Sequence, residues 1–386
     1  MRLSASEQEL RSLLLNLGES LPTGERKLTK EEIREFHEAQ RLARLAGLDG
    51  SCADMLSALR GNLASPDEIS VEEISPRLIP VHAESLESKV FAAATLTWSI
   101  PVSQGFGRRM RFLVRDQSNG KLIGIMGLAD PVFNLRPRDA WVGWSAEQRK
   151  ERLVHVMDAF VLGALPPYNR LLGGKLVALL AASTEVVRHF RRKYGGSEGI
   201  ISEKRKNPRL VLLTTTSALG RSSIYNRLRI PGSVEYLTDV ELERVPTWFT
   251  QGYGHFHVDG DLFSRLQGVL ERRGHPYAKG NRFGDGPNWK VRVIRQAIRE
   301  LGLSSELLRH GIQRQVFVVP LAENTRAFLL GRSKTPRYIT LRVSEIAEFW
   351  RRRWGLPRSQ RCPSWRNWSH DELLRGIEQL RARSSQ

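Results

Sequence analysis

Three groups of residues in this chain have the types and spacing to do chemistry. The first is the turn Pro166-Pro167-Tyr168-Asn169-Arg170-Leu171-Leu172-Gly173-Gly174-Lys175, placed between an apolar strand-like run and an apolar helical run. Free N–H groups at a helix start beside two glycines can cradle a pyrophosphate or another anion. Arg170, Gly173, Gly174 and Lys175 are therefore candidate anion ligands, although glycines at such a turn also serve simply to pack helix on sheet. The second is Tyr253-Gly254-His255-Phe256-His257. Strand alternation would put His255 and His257 on one face, able to share a divalent metal that Asp259 or Asp261 could complete. Tyr277 lies downstream in a Gly/Pro-rich stretch, and a nicking nuclease would need such a tyrosine on a helix. The bland alternative is a pair of structural or nucleic-acid-contacting histidines.

The third group is Lys290-x-Arg292-x-x-Arg295-x-x-x-Arg299, with Val291, Val293, Ile294 and Ile298 offering an apolar side. That spacing predicts an amphipathic helix whose basic face can lie along a phosphate backbone, and it equally suits a solvated helix face. Trp289, His310 and Arg314 add stacking and hydrogen-bonding groups nearby. His310-Gly311 also fits a plain helix C-terminus, with the glycine as cap. No phosphate-binding Walker turn, zinc-finger spacing or Gly-x-Ser-x-Gly elbow is present.

What must position these groups is a chain of 386 residues, 40% hydrophobic, with a formal net charge of +19. That length supports two or three domains with a substantial core. The charge is uneven: residues 1–100 carry 11 Lys and Arg against 16 Asp and Glu, and residues 101–386 carry 49 against 25. A body this basic predicts a polyanionic partner, with nucleic acid the commonest, and DNA favoured here over RNA. Cys52 and Cys362 have no metal or redox spacing and argue for a reducing compartment. The start of the chain lacks a signal-peptide pattern. The apolar stretch Leu176–Ala182 is too short to span a bilayer. The expectation is a cytoplasmic protein with no membrane partner.

Thr29-Lys30-Glu31-Glu32 is a capping box that predicts a helix start in a helical N-terminal region. Residues 61–80 are turn-rich and read as a linker. Met110–Arg115 alternates, Ser118-Asn119-Gly120 signals a hairpin, and Lys121–Leu128 returns. Strand 158–165, helix 176–194, strand 210–216, helix 222–228 and strand 233–237 follow. The basic loop Lys204–Arg209 sits between the long helix and its strand. A helix over 262–273, the basic helix 290–301 and a further section reaching about Trp354 complete the reading, with Arg351-Arg352-Arg353-Trp354 opening a basic tail.

That order of elements, from hairpin 110–128 to strand 233–237, resembles the N-acetyltransferase (GNAT) fold. In that family a strand splays from its neighbour, and a Gln/Arg-x-x-Gly-x-Gly/Ala turn binds the coenzyme A pyrophosphate. Arg170-x-x-Gly173-Gly174-Lys175 keeps the arginine and first glycine, and Lys175 departs at the last position. The resemblance places Tyr225, in Ser222-Ser223-Ile224-Tyr225-Asn226-Arg227, where the family often carries a tyrosine general acid.

Taken together, Asp158-Ala159-Phe160-Val161-Leu162-Gly163, Thr214–Tyr225, Gly286-Pro287-Asn288-Trp289-Lys290-x-Arg292-Val293-Ile294-Arg295, Leu301-Gly302-Leu303 and His310-Gly311-Ile312-x-Arg314 resemble the DruA family of the Druantia anti-phage defence system. The resemblance implies a defence role beside other system proteins, including a large helicase-like component, and relatives also lie near mobile elements. The family has no settled catalytic set, so Asp158, Tyr225, His255 and His257 remain candidates. Acetyl-CoA and a divalent metal are both open as cofactors, with neither favoured, and enzymatic activity is left open. The expected fold class is α+β: a GNAT-like mixed-sheet core over 81–245, a helical region and linker over 1–80, a basic α/β domain over 246–350 and a basic tail over 351–386. The expected function is nucleic-acid binding in phage defence on a non-acetylating scaffold. An acyl-CoA-dependent transferase or a metal-dependent, transposon-associated nuclease is the alternative.

Overall fold

The computed structural model describes residues 3–20, 28–48, 51–103, 105, 107–196, 207–238, 248–250, 258, 260–282, 289–308 and 311–384. The chain divides into two compact units, one made of residues 1–40 and 249–314 and the other of residues 41–248 and 315–386. The expected boundaries at 80, 245 and 350 divide it differently. The first unit joins the two ends of a long detour in sequence, and the residues after 314 return to the other unit.

The larger unit is built on one six-stranded mixed sheet, β1 (Pro76–Pro80), β2 (Arg109–Asp116), β3 (Leu122–Ala129), β4 (Val156–Ala164), β5 (Leu212–Thr216) and β6 (Val316–Pro320), in spatial order 1-2-3-4-5-6. β1 to β4 run antiparallel, β4 and β5 run parallel, and β5 pairs antiparallel with β6. The expected hairpin is present. Gly120 takes the left-handed conformation its turn needs, at φ 73°. The Asp116 carboxylate accepts hydrogen bonds from Ser75 N, Ser118 N and the Tyr168 hydroxyl, the last at 3.0 Å. β1 falls inside the expected linker. Its prolines stand at both ends of an edge strand, where a missing donor costs no ladder bond, and that composition disguised it as turn.

Every residue of β3 is buried, because helices cover both faces of the sheet. On one face the helix Gly173–Ala181 is buried all round except at Lys175, as expected of a core helix. On the other face the helix Leu86–Thr95 packs Val90, Phe91 and Ala94 against Leu113, Ile125 and Val161. The single helix expected over 176–194 is two. Ser183 accepts from Val186 N and caps a second helix, Thr184–Tyr194. The expected helix over 222–228 is instead a run of turns, in which the Ser222 hydroxyl accepts from Ile224 N and Tyr225 N. The expected strand 233–237 contributes only isolated bridges, one of them Leu237 to Val318. The expected tail is folded, with Trp365, Leu374 and Ile377 buried.

The smaller unit packs three helices, Ala5–Ser20, Gly260–Arg272 and Trp289–Glu300, around Leu10, Leu14, Leu266, Leu270, Ile294 and Ile298. Each fully buried side chain of that kind stabilises by about 1.5–3 kcal/mol. Arg273 ties the helices together, pairing with Glu300 at 2.6 Å and Glu7 at 3.5 Å. The capping box at Thr29 closes as expected, with Glu32 N bonded to Thr29 Oγ1 and Thr29 N to the Glu32 carboxylate. Among the described residues no helix is long and apolar enough to cross a membrane.

Candidate functional site

The parallel strand pair is where the sheet opens. Pairing runs from Val156 opposite Leu212 to Ala159 opposite Thr215. β5 then ends at Thr216 while β4 continues to Ala164 along β3 alone. Asp158 and Thr214 face each other just before that parting, and the Thr214 hydroxyl donates to Asp158 Oδ1 at 2.7 Å. Burial pushes the Asp158 carboxyl up to about 6, against the Thr214 hydrogen bond and the Arg138 charge, which both lower it. Tyr225 is held by rings on the opposite face of the sheet from Asp158: it stacks on Tyr236 with centroids 5.4 Å apart and meets Phe317 edge-on. Burial pushes its phenol up to about 12, the Thr215 hydroxyl lowering it and the Asp158 charge adding to the rise. The phenol stays protonated at neutral pH, but Asp158 and Thr214 point to one face of the sheet while Thr215, Phe317 and Tyr225 lie on the other, so the two candidate groups are not brought together as an acid–base pair.

Arg138, which the sequence reading passed over, is fully buried and spent on structure. It donates to the carbonyls of Val132 and Phe133 and to Asp139. Thr214 was also not singled out, although the run Thr214-Thr215-Thr216 at a strand end was visible.

The glycine turn follows β4. Leu172 takes a left-handed conformation at φ 62° and leads into the helix at Gly173. A Cβ on Gly173 would stand 2.6 Å from the Tyr168 carbonyl oxygen, and one on Gly174 3.1 Å from Ile224 Cδ1. Close packing thus accounts for both glycines. The two cations are engaged within the chain. Arg170 donates to the carbonyls of Ser364 and Asn367, each at 3.1 Å, and Lys175 donates to the Ile224 carbonyl at 2.8 Å. Trp350 Nε1 bonds to the Leu172 carbonyl, and Arg358 Nε to the Arg170 carbonyl. The C-terminal segment therefore lies across the turn. Burial holds the Lys175 ammonium below its ordinary value.

In the smaller unit the helix Trp289–Glu300 buries Val293, Ile294, Ala297 and Ile298 and turns Lys290, Arg295 and Arg299 outward, with Arg292 half-buried. Trp289 meets Phe263 edge-on at 5.4 Å, and the Lys290 ammonium sits 5.2 Å from the Phe263 ring centre. The helix start thus presents a cation over aromatic faces beside a run of arginines. Arg314 is not part of that face: its guanidinium bonds to His37 Nε2 at 3.1 Å, and burial lowers its basicity. His255, His257, His310, Asp259 and Lys204–Lys206 lie outside the described residues. Among the described residues no three His, Cys, Asp or Glu side chains gather as a metal site would require.

No solved structure matches the chain. A family model described as Druantia protein DruA matches residues 27–331. The chain is also similar to the Druantia protein DruA of Escherichia coli (strain UMEA 4076-1), at 44% identity over 347 residues, covering 90% of this chain and 84% of the relative. The match spans the opened sheet, the glycine turn and the basic helix together, and the chain belongs to the DruA family.

Proposed function

We propose that this chain serves bacterial anti-phage defence by recognising nucleic acid, DNA in preference to RNA, through its basic helical unit, alongside other Druantia proteins that include a helicase-like component. The observation that carries the reading is the helix Trp289–Glu300. Its apolar face is used in the three-helix core, and Lys290, Arg295 and Arg299 lie together on its exposed side. Trp289 and Phe263 supply ring faces at the same end. The sheet would act as a GNAT-like, non-acetylating scaffold. Its strand order and the parting of β4 from β5 support that view, and the engagement of Arg170 and Lys175 with chain carbonyls favours scaffold over coenzyme site.

Fluorescence anisotropy of labelled DNA against the purified protein tests this at several salt concentrations. Arg292→Ala with Arg295→Ala should weaken binding and flatten the salt dependence, since each lost phosphate contact removes about 0.9 from the log–log slope. Identical affinity and slope in that double variant refute the assignment.

A second reading is enzymatic. The buried, protonated Tyr225 near the strand parting supports acyl transfer, and acetyl-CoA binding together with turnover tests it. Acetyl-CoA-dependent acyl transfer that is lost in Tyr225→Phe while acetyl-CoA binding is kept favours that reading, and acetyl-CoA failing to compete in an equilibrium binding assay refutes it.

A further inference from the structure

Another concentration of positive charge lies at the edge of the sheet. The end of β1, the middle of β2 and the last turns of the helix Thr184–Tyr194 enclose a cavity of about 220 Å³. His82, Arg111, His189, Arg192 and Lys193 line it. Basic residues in a last helical turn are ordinary, because they complement the helix dipole, and that would explain Arg192 and Lys193 alone. It does not explain Arg111, which comes from β2, nor His82, which follows β1.

Among the described residues no carboxylate lines the cavity, and Arg111, Arg192 and Lys193 form no ion pair with an acid. Their contacts satisfy geometry without neutralising charge. Lys193 donates to the Arg109 carbonyl at 2.8 Å, Arg192 donates to His189 Nδ1 at 2.9 Å, and Arg111 lies over the Phe91 ring. With Nδ1 accepting, His189 carries its proton on Nε2 and can donate from there. Burial first, and then Arg192, Lys193 and His82, push this imidazole down to about 4, so it is neutral at physiological pH. Burial and the neighbouring arginines also lower the basicity of Lys193 and Arg111. Cations gathered in this way repel one another, and an anion seated among them relieves that cost.

We infer that this cavity binds the phosphate monoester of a nucleotide, free or at the end of a strand, with Arg111 and Lys193 on the phosphate and Pro80 and Val81 against its body. A guanidinium fork with an ammonium matches a dianionic phosphate. The volume lies below the roughly 300–1,000 Å³ of drug-sized pockets, which suits a phosphate with its sugar better than a large cofactor. The inference does not depend on the basic helix, which belongs to the other unit, so each can fail alone.

Calorimetry on the full chain tests it with adenosine, adenosine 5′-monophosphate and one short oligonucleotide prepared with a 5′-phosphate or a 5′-hydroxyl. The expected result is a preference of about tenfold or more for at least one phosphorylated probe over its unphosphorylated twin. That preference should be lost in Arg111→Gln and kept in Arg292→Ala with Arg295→Ala. Preference within the mononucleotide pair alone identifies a free nucleotide as ligand, and preference within the oligonucleotide pair identifies a strand end. If Arg111→Gln melts abnormally, Arg192→Gln with Lys193→Gln on the exposed rim replaces it. Indifference to the phosphate in both pairs, or a preference that survives both sets of pocket variants, overturns the inference.

Discussion

Asparagine at position 158 should make the protein more stable above pH 6 and leave it unchanged near pH 4. Burial raises the Asp158 carboxyl from an ordinary 3.8 to about 6. The folded state therefore holds a proton that the unfolded chain gives up between those values. Stability from this group is complete below pH 3.8 and is lost as pH rises through 6, because the unfolded chain then ionises more freely than the fold. At about 1.4 kcal/mol for each tenfold change in acidity, the wild-type fold at pH 8 gives up about 3 kcal/mol relative to pH 4. Asparagine keeps the oxygen that accepts from Thr214 and cannot ionise. Thermal melts of the two proteins from pH 4 to 8 should diverge across that window. At roughly 2 °C per kcal/mol for a unit of this size, the melting temperature should rise by roughly 6 °C at pH 8. A pH-independent difference, or an asparagine variant weaker at pH 8, would refute the reasoning. It would show that Arg138 and Thr214 repay the ionised carboxylate in full.

Two further outcomes concern the turn after β4. Gly173→Ala places a methyl 2.6 Å from the Tyr168 carbonyl, and such overpacking should cost about 1–3 kcal/mol. A shift in the urea midpoint measures it, and no shift would mean that the turn relaxes freely. Trp350→Ala empties a fully buried site and removes the donor to the Leu172 carbonyl. It should cost about 3–5 kcal/mol and make residues after 350 more sensitive to limited proteolysis. Unchanged cleavage would show that the C-terminal segment is held on the turn by other contacts.

The fold was legible where its signals are short in range. The capping box at Thr29, the Asn-Gly turn of the hairpin and the 3.6-residue spacing of the basic helix each depend on neighbours a few positions away. The expected helix 290–301 differs from Trp289–Glu300 by one residue at each end. The break at Ser183 was also written locally, as a serine before Thr184-Glu185, but the apolar run before it masked the cap. β1 and the turns at 222–228 were illegible because their composition mimics something else. Prolines at an edge strand look like a linker, and Ser222 can cap a helix or hold a turn with the same hydroxyl.

The candidate site divides in the same way. Asp158 and Tyr225 could be named from their residue types, whereas only the pairing of β4 with β5 and the stacking of Tyr225 on Tyr236 and Phe317 decided that they stand on opposite faces of the sheet. Arg170 and Lys175 were visible as cations beside glycines, and only folding brought the carbonyls of Ser364, Asn367 and Ile224 to them. By itself the sequence determined the family, the helix and hairpin signals and the excess of positive charge. The tertiary structure alone decided where that charge converges, setting Arg111 of one strand beside Lys193 of a distant helix. Local order follows from hydrogen bonds and periodicity within a few residues, but a pocket exists only once long-range strand pairing and buried apolar contacts have paid for bringing like charges together.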